Sequence, residues 1–389
     1  MFEHVCHYIV SLPMIIYFNI DSGAKIALDN LMNSGQYSDV SEAICVSLIN
    51  HDIIQRQAEQ NGGVEITRAD LLNDRASFVR GSRGTGAHPA VKAGSTPEKE
   101  IPDIFLLPRI SPAADEFPHI ADEAKSRSIV GPKDWLFGQY NKLLPLKATL
   151  RGILNLSGST RDGLAITEAT RTISTQAWVL GDYLDELDRK SGVTRENALS
   201  TAFPTTRGSG SPGQSRFASQ FVASVNAEGI ATGLPIAMRL AVYVAGKTPR
   251  LNLSRQGAKF ALLENPILDQ GAGDQSKFSP TEVSFLVNHI LTYVPEERSA
   301  FKVILGAISE RVTTPKALDR FLSSDYADST MTPAFLSLQR SGVMSRLIDL
   351  QLVRRLREGT RVTYAISESG ADVLKEISTA DAEFIKELS

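Results

Sequence analysis

Six arginines fall within residues 338–363 (Arg340, Arg346, Arg354, Arg355, Arg357 and Arg361), against Asp349 and Glu358, a local balance of +4. Guanidinium groups at that density suit one chemistry above others: gripping the phosphates of a nucleic acid and releasing their counterions. Covalent chemistry finds no comparable constellation. Gly246-Lys247-Thr248 has the end of a phosphate-binding loop, but that loop needs a glycine where this chain has Ala241. It also precedes a strand pattern where a helix should start. Gly81, Gly84 and Gly86 fit no dinucleotide-binding spacing, and the stretch Gly208–Gly213 lacks the order Gly-x-Ser-x-Gly. His4, His7, His51, His88, His119 and His289 are scattered, with no second ligand at metal spacing. The reading is a protein that is not an enzyme and carries neither metal nor cofactor.

The elements around the arginines follow a plan that occurs twice. Leu251-Asn252-Leu253-Ser254-Arg255-Gln256-Gly257-Ala258 and Tyr364-Ala365-Ile366-Ser367-Glu368-Ser369-Gly370-Ala371 each read as an alternating strand, a serine cap, two residues, Gly-Ala and a helix. A basic turn precedes each: Gly246-Lys247-Thr248-Pro249-Arg250, and Arg357-Glu358-Gly359-Thr360-Arg361. Upstream of the second copy, residues 279–294 and 295–309 read as amphipathic helices. Thr314-Pro315 and Thr332-Pro333 each cap a further helix, with proline at its first position. A hairpin followed by strand, Ser or Thr, two residues, Gly and helix resembles the end of winged-helix domains in many bacterial and archaeal regulators. Carried over, the resemblance places exposed Ser337, Gln339, Arg340 and Ser341 in or near a major groove. It leaves Arg354, Arg355, Arg357 and Arg361 on phosphates. The first copy has weaker charge and a long insertion, so a structural role suits it at least as well.

The N-terminal region has its own pattern. Met14–Asp21 alternates, with Ile16, Phe18 and Ile20 on one side and Ile15, Tyr17 and Asn19 on the other. One short helix carries Leu28, Leu31 and Met32, and a second follows Tyr37-Ser38-Asp39-Val40-Ser41-Glu42-Ala43-Ile44. This segment resembles the ribbon-helix-helix family of DNA-binding proteins, in which that turn commonly reads Tyr-Ser-x-x-Ser-Glu-Ala-Ile. A lone strand leaves unpaired backbone groups, and pairing with a second chain would satisfy them, which implies a homodimer. The resemblance makes Tyr17 and Asn19 readers of base edges in double-stranded DNA. It puts a phosphate at the backbone amides near Ser38, Asp39 and Ser41.

At 389 residues, 42% hydrophobic and 22% charged, the chain is long enough for two or three domains, and its net charge of −3 gives no global nucleic-acid signal. Two cysteines, Cys6 and Cys45, fit a reducing cytoplasm, and no apolar run reaches membrane-spanning length. The expected fold is mainly α with small β elements: a ribbon-helix-helix module plus two winged-helix-like domains. Residues 1–13 read as an extension, 14–60 as the dimerisation and DNA-binding module, and 61–134 as a flexible linker. The last part of that linker, 103–134, carries apolar patches that pack irregularly against the domain after it. Residues 135–275 form the first winged-helix-like domain and 276–389 the second. Residues 204–216 read as a long flexible loop inside the first. The function expected is a sequence-specific, dimeric transcriptional regulator. A plasmid-type replication initiator or maintenance factor is one alternative. A non-enzymatic scaffold docking a toxin or defence partner is another.

Overall fold

A computed structural model describes residues 100–108, 113–119, 131–157, 163–194, 197–208, 210–271, 276–326, 328 and 330–388. All lie in one compact unit, Ser95–Ser389. Tyr17, Asn19, Ser38, Asp39 and Ser41, with the rest of the expected ribbon-helix-helix module, lie outside the described residues. What is described is mainly helical with small sheets, as the composition and periodicity led one to expect. No helix among the described residues is long and apolar enough to cross a membrane.

The first half runs α1 (Leu144–Ser157), β1 (Leu164–Ala165), α2 (Ile166–Ser191), α3 (Gly210–Phe217), β2 (Ser224–Val225), β3 (Ala231–Thr232), α4 (Leu234–Ala237), β4 (Ala241–Val244), β5 (Arg250–Leu253) and α5 (Arg255–Leu262). Strands β1, β5 and β4 make one antiparallel sheet with β5 central, Leu164 opposite Leu251 and Tyr243 opposite Leu251 on the other side. After α6 (Pro266–Gln270), the second half runs α7 (Pro280–Tyr293), α8 (Pro295–Ser309), α9 (Pro315–Asp325), α10 (Pro333–Asp349), β6 (Val353–Glu358), β7 (Arg361–Ile366) and α11 (Glu368–Leu388). Here the caps expected at Thr314 and Thr332 are made: Thr314 accepts from the Ala317 amide at 3.2 Å and Thr332 from the Phe335 amide at 3.1 Å. Ser279 with Glu282 adds a capping box at the start of α7.

The repeat seen in the sequence extends to individual hydrogen bonds. α4 and α10 end alike, each followed by a non-glycine residue in the left-handed region: Arg239 at φ 56° and Gln351 at φ 60°. That conformation costs roughly 1–2 kcal/mol each in Cβ–carbonyl crowding. It brings the Leu240 amide to the Pro235 carbonyl at 2.9 Å and the Leu352 amide to the Leu347 carbonyl at 2.9 Å. A hairpin follows, and its return strand ends where the Ser254 amide meets the Leu240 carbonyl and the Ser367 amide meets the Leu352 carbonyl, both at 3.0 Å. Each serine hydroxyl then accepts from the amide three residues on, Gly257 or Gly370, at 3.0 Å. Both glycines are obligatory by space: a Cβ would lie 1.8 Å from the Leu240 oxygen or 2.1 Å from the Leu352 oxygen.

One expectation is corrected. Residues 204–216 are not wholly a loop, because Gly210–Phe217 is helical. Pro212 sits in the first turn, where a missing N–H removes no helical bond. Phe217 fastens the helix by packing on Phe203 and Phe221, with centroids 5.6 and 5.4 Å away. Ahead of it, the Asp182 carboxylate accepts from the Thr206 amide at 2.7 Å. The end of the expected linker does pack: Phe105 is buried, and Asn155 donates to the Ile104 and Leu106 carbonyls at 2.9 Å each.

The two halves share one continuous apolar core. Buried polar links cross between them. Lys147 of α1 reaches Glu282 of α7 at 3.0 Å with both side chains fully buried. His289 of α7 donates through Nε2 to the Met238 carbonyl at 2.7 Å. A strap formed by residues 131–143 lies along α10, so close that a Cβ on Gly138 would fall 2.4 Å from the Leu338 oxygen, and one on Gly342 2.4 Å from the Gly138 oxygen.

Candidate nucleic-acid interface

The hairpin β6–β7 pairs in register from Val353 opposite Ile366 to Glu358 opposite Arg361. Its root is anchored: Val353 and Tyr364 are buried, and the Tyr364 amide donates to the Thr313 carbonyl at 2.8 Å. Val362 and Thr363 beside that root are half-buried, and beyond them the strand alternation no longer has a core to face, so residues 354–361 are all exposed. Arg354, Arg355, Arg357 and Arg361 stand in water, with Glu358 the single carboxylate on the two strands. Leu356, 49% exposed, lies among them. Gly359, at φ 60°, makes the tight turn, and the Arg357 Nε donates to its carbonyl at 3.0 Å. Four guanidinium groups on a two-stranded arm outweigh one carboxylate, so the arm presents a positive surface to any polyanion.

The helix before the hairpin does not match expectation at two positions. Gln339 is 2% and Arg340 7% exposed, so neither stands in a groove. The Gln339 Nε2 donates to the Pro132 carbonyl at 2.7 Å, under the strap. Arg340 pairs with Asp319 of α9 at 2.6 Å and donates to the Ser337 hydroxyl at 3.1 Å. Each is used inside the protein because a buried amide or guanidinium without partners would cost more than the helix gains. Ser341 is exposed as expected, and Ser337 is half-buried.

Arg346 belongs to the same sequence cluster and has the opposite fate to the hairpin arginines. It is fully buried, paired with Glu297 of α8 at 2.5 and 2.8 Å, and donates to the Tyr140 carbonyl at 2.6 Å. Nearby, the Asp349 carboxylate accepts from the Leu143 amide at 3.2 Å and faces Lys277 at 3.4 Å and Lys142 at 3.7 Å. Burial holds the Lys142 ammonium below the usual lysine range, against the opposing pull of Asp349. These groups fasten α10 to the strap and to α8. They are architecture.

Two cations escaped the sequence reading. Lys316 and Arg320 are exposed on α9, four residues apart and opposite buried Leu318 and Leu322. Helical spacing against that apolar pair is the signal that could have found them. Among the described residues no group of three His, Cys, Asp or Glu side chains is placed to hold a metal ion. His289 is a packed core residue, held between Phe285 and Tyr293, and burial pulls its imidazole down to about pKa 4. Compared with protein-family models, characterised proteins and solved structures, the chain matches none.

Proposed function

We propose that this protein binds double-stranded DNA and acts as a sequence-specific transcriptional regulator in the cytoplasm. In this reading its described part consists of two winged-helix-like domains in tandem. The observation that carries the proposal is the arginine-bearing hairpin β6–β7, held at the end of α10 by a rigid, repeated turn. Support for the domain reading comes from order and connectivity. Each half offers helix, a short extended residue or strand, helices, hairpin and a serine-capped helix, with the return strand bonded to that extended segment. The hairpin arginines would lie on phosphates, as such arms place them.

Sequence choice and homodimer formation are assigned to the N-terminal residues, Tyr17 and Asn19 reading bases and Ser38, Asp39 and Ser41 framing a phosphate. Linked weak contacts of this kind multiply affinity through effective concentration. The paired, mutually fastened halves also suit a replication initiator sitting on repeated sites, which is the second reading.

The test is fluorescence anisotropy with a labelled duplex taken from upstream of the protein's own gene. Affinity should fall by orders of magnitude between about 50 and about 200 mM salt if several phosphates are gripped. Absence of any salt-sensitive duplex binding refutes the proposal.

A further inference from the structure

The major groove distinguishes bases chiefly through two-pronged partners: arginine or lysine on guanine, asparagine or glutamine on adenine. α10 owns three side chains of that kind, Gln339, Arg340 and Arg346. All three are buried and engaged, with Pro132, Asp319 and Glu297 respectively. What α10 leaves outward is Pro333, Ala334 and Ser341, with Phe335, Ser337, Leu338, Ser345 and Ile348 half-buried. Hydroxyls bond any base edge in reach, and so choose poorly. On the neighbouring elements exposed cations outnumber exposed carboxylates: Arg354, Arg355, Arg357 and Arg361 with Glu358 on the hairpin, and Lys316 and Arg320 with Asp325 on α9.

We infer that the α9–α10–hairpin surface holds duplex DNA by its phosphates and reads no base sequence. The inference rests on the DNA-binding proposal above and deepens it, since any sequence preference must then arise outside this surface.

The experiment uses the full chain and two labelled duplexes of equal length and unrelated sequence, followed by anisotropy across a salt series. Arg354→Ala with Arg355→Ala should weaken both duplexes by the same factor and flatten the log–log salt dependence by about 2, since each phosphate contact contributes about 0.9. Ser341→Ala with Ser345→Ala should leave the ratio of the two affinities within about threefold of the unaltered protein. A larger change in that ratio overturns the inference, as does an arginine variant that weakens one duplex alone or leaves the salt dependence intact. Those outcomes still leave a DNA-binding protein. Failure of the unaltered chain to bind either duplex removes the function proposed above as well.

Discussion

The hairpins β4–β5 and β6–β7 leave equivalent helix ends, return to equivalent serine caps and present opposite chemistry. β4 offers Ala241, Val242, Tyr243 and Val244, where β6 offers Val353, Arg354, Arg355 and Leu356. Their sheets differ in the same sense. β5 is central, bonded to β1 as well as to β4, whereas β7 meets the body through the Tyr364 amide and the Thr313 carbonyl. A hairpin built into a three-stranded sheet buries its return strand, whereas β6–β7, rooted by Val353 and Tyr364 with Val362 and Ile366 partly buried, keeps residues 354–361 exposed. The same backbone device therefore serves as scaffold in one copy and as an arm in the other.

The largest effects should come from what the copies share. Gly257→Ala and Gly370→Ala should each cost about 3 kcal/mol or more, because the new Cβ meets a carbonyl that the turn cannot move. Urea denaturation would show it, and tolerance of either change would mean that the two turns are not the same device. Next in size is an acid effect where α7 of the second half meets the turn of the first copy. Burial keeps the His289 imidazole at about 4, below its ordinary 6.5, so the native state refuses a proton that the unfolded chain accepts. Its stabilising contribution is complete above about pH 6.5 and is lost as pH falls towards 4, amounting to roughly 3 kcal/mol. His289→Gln should flatten that dependence. Hydrogen exchange should open the Leu240 amide before the Leu352 amide at acid pH, since His289 holds the Met238 carbonyl beside the first turn.

Smaller changes sharpen the comparison further. Ser254→Ala and Ser367→Ala should each cost about 1 kcal/mol, the usual worth of a helix N-cap, and the two values should agree in thermal melts. Least of all is expected from Val244→Arg, which adds a cation to the first hairpin at the position matching Leu356. If that hairpin is scaffold alone, stability should move by less than about 0.5 kcal/mol and duplex affinity by no more than an exposed charge far from the contact allows. A clear gain in affinity would place both hairpins on DNA.

Much of the fold was legible because its signals are local. Thr314, Thr332, Ser254 and Ser367 accept from amides three residues away, so residue type and spacing were enough to find four capped helix starts. The Ser-x-x-Gly recurrence exposed the duplication for the same reason. The loop expected at 204–216 was misjudged where Phe217 found distant partners in Phe203 and Phe221 that glycine and proline content could not reveal. At the candidate interface the hairpin arginines were found and remain exposed. Gln339 and Arg340 were misplaced, and Lys316 and Arg320 were missed.

The sequence by itself determined where the capped helices begin, where the two repeated hairpins turn and that one plan is used twice, because those choices are settled by hydrogen bonds and sterics within a few residues. Which arginines face water was decided by tertiary structure alone. Arg346 and Arg354 stand eight positions apart in one basic cluster, yet Arg346 is buried against Glu297 and the Tyr140 carbonyl, the latter 206 residues distant, and Arg354 lies exposed on an arm. A charge enters a core only where carboxylates and carbonyls converge to receive it. Such convergence exists only after the chain has folded.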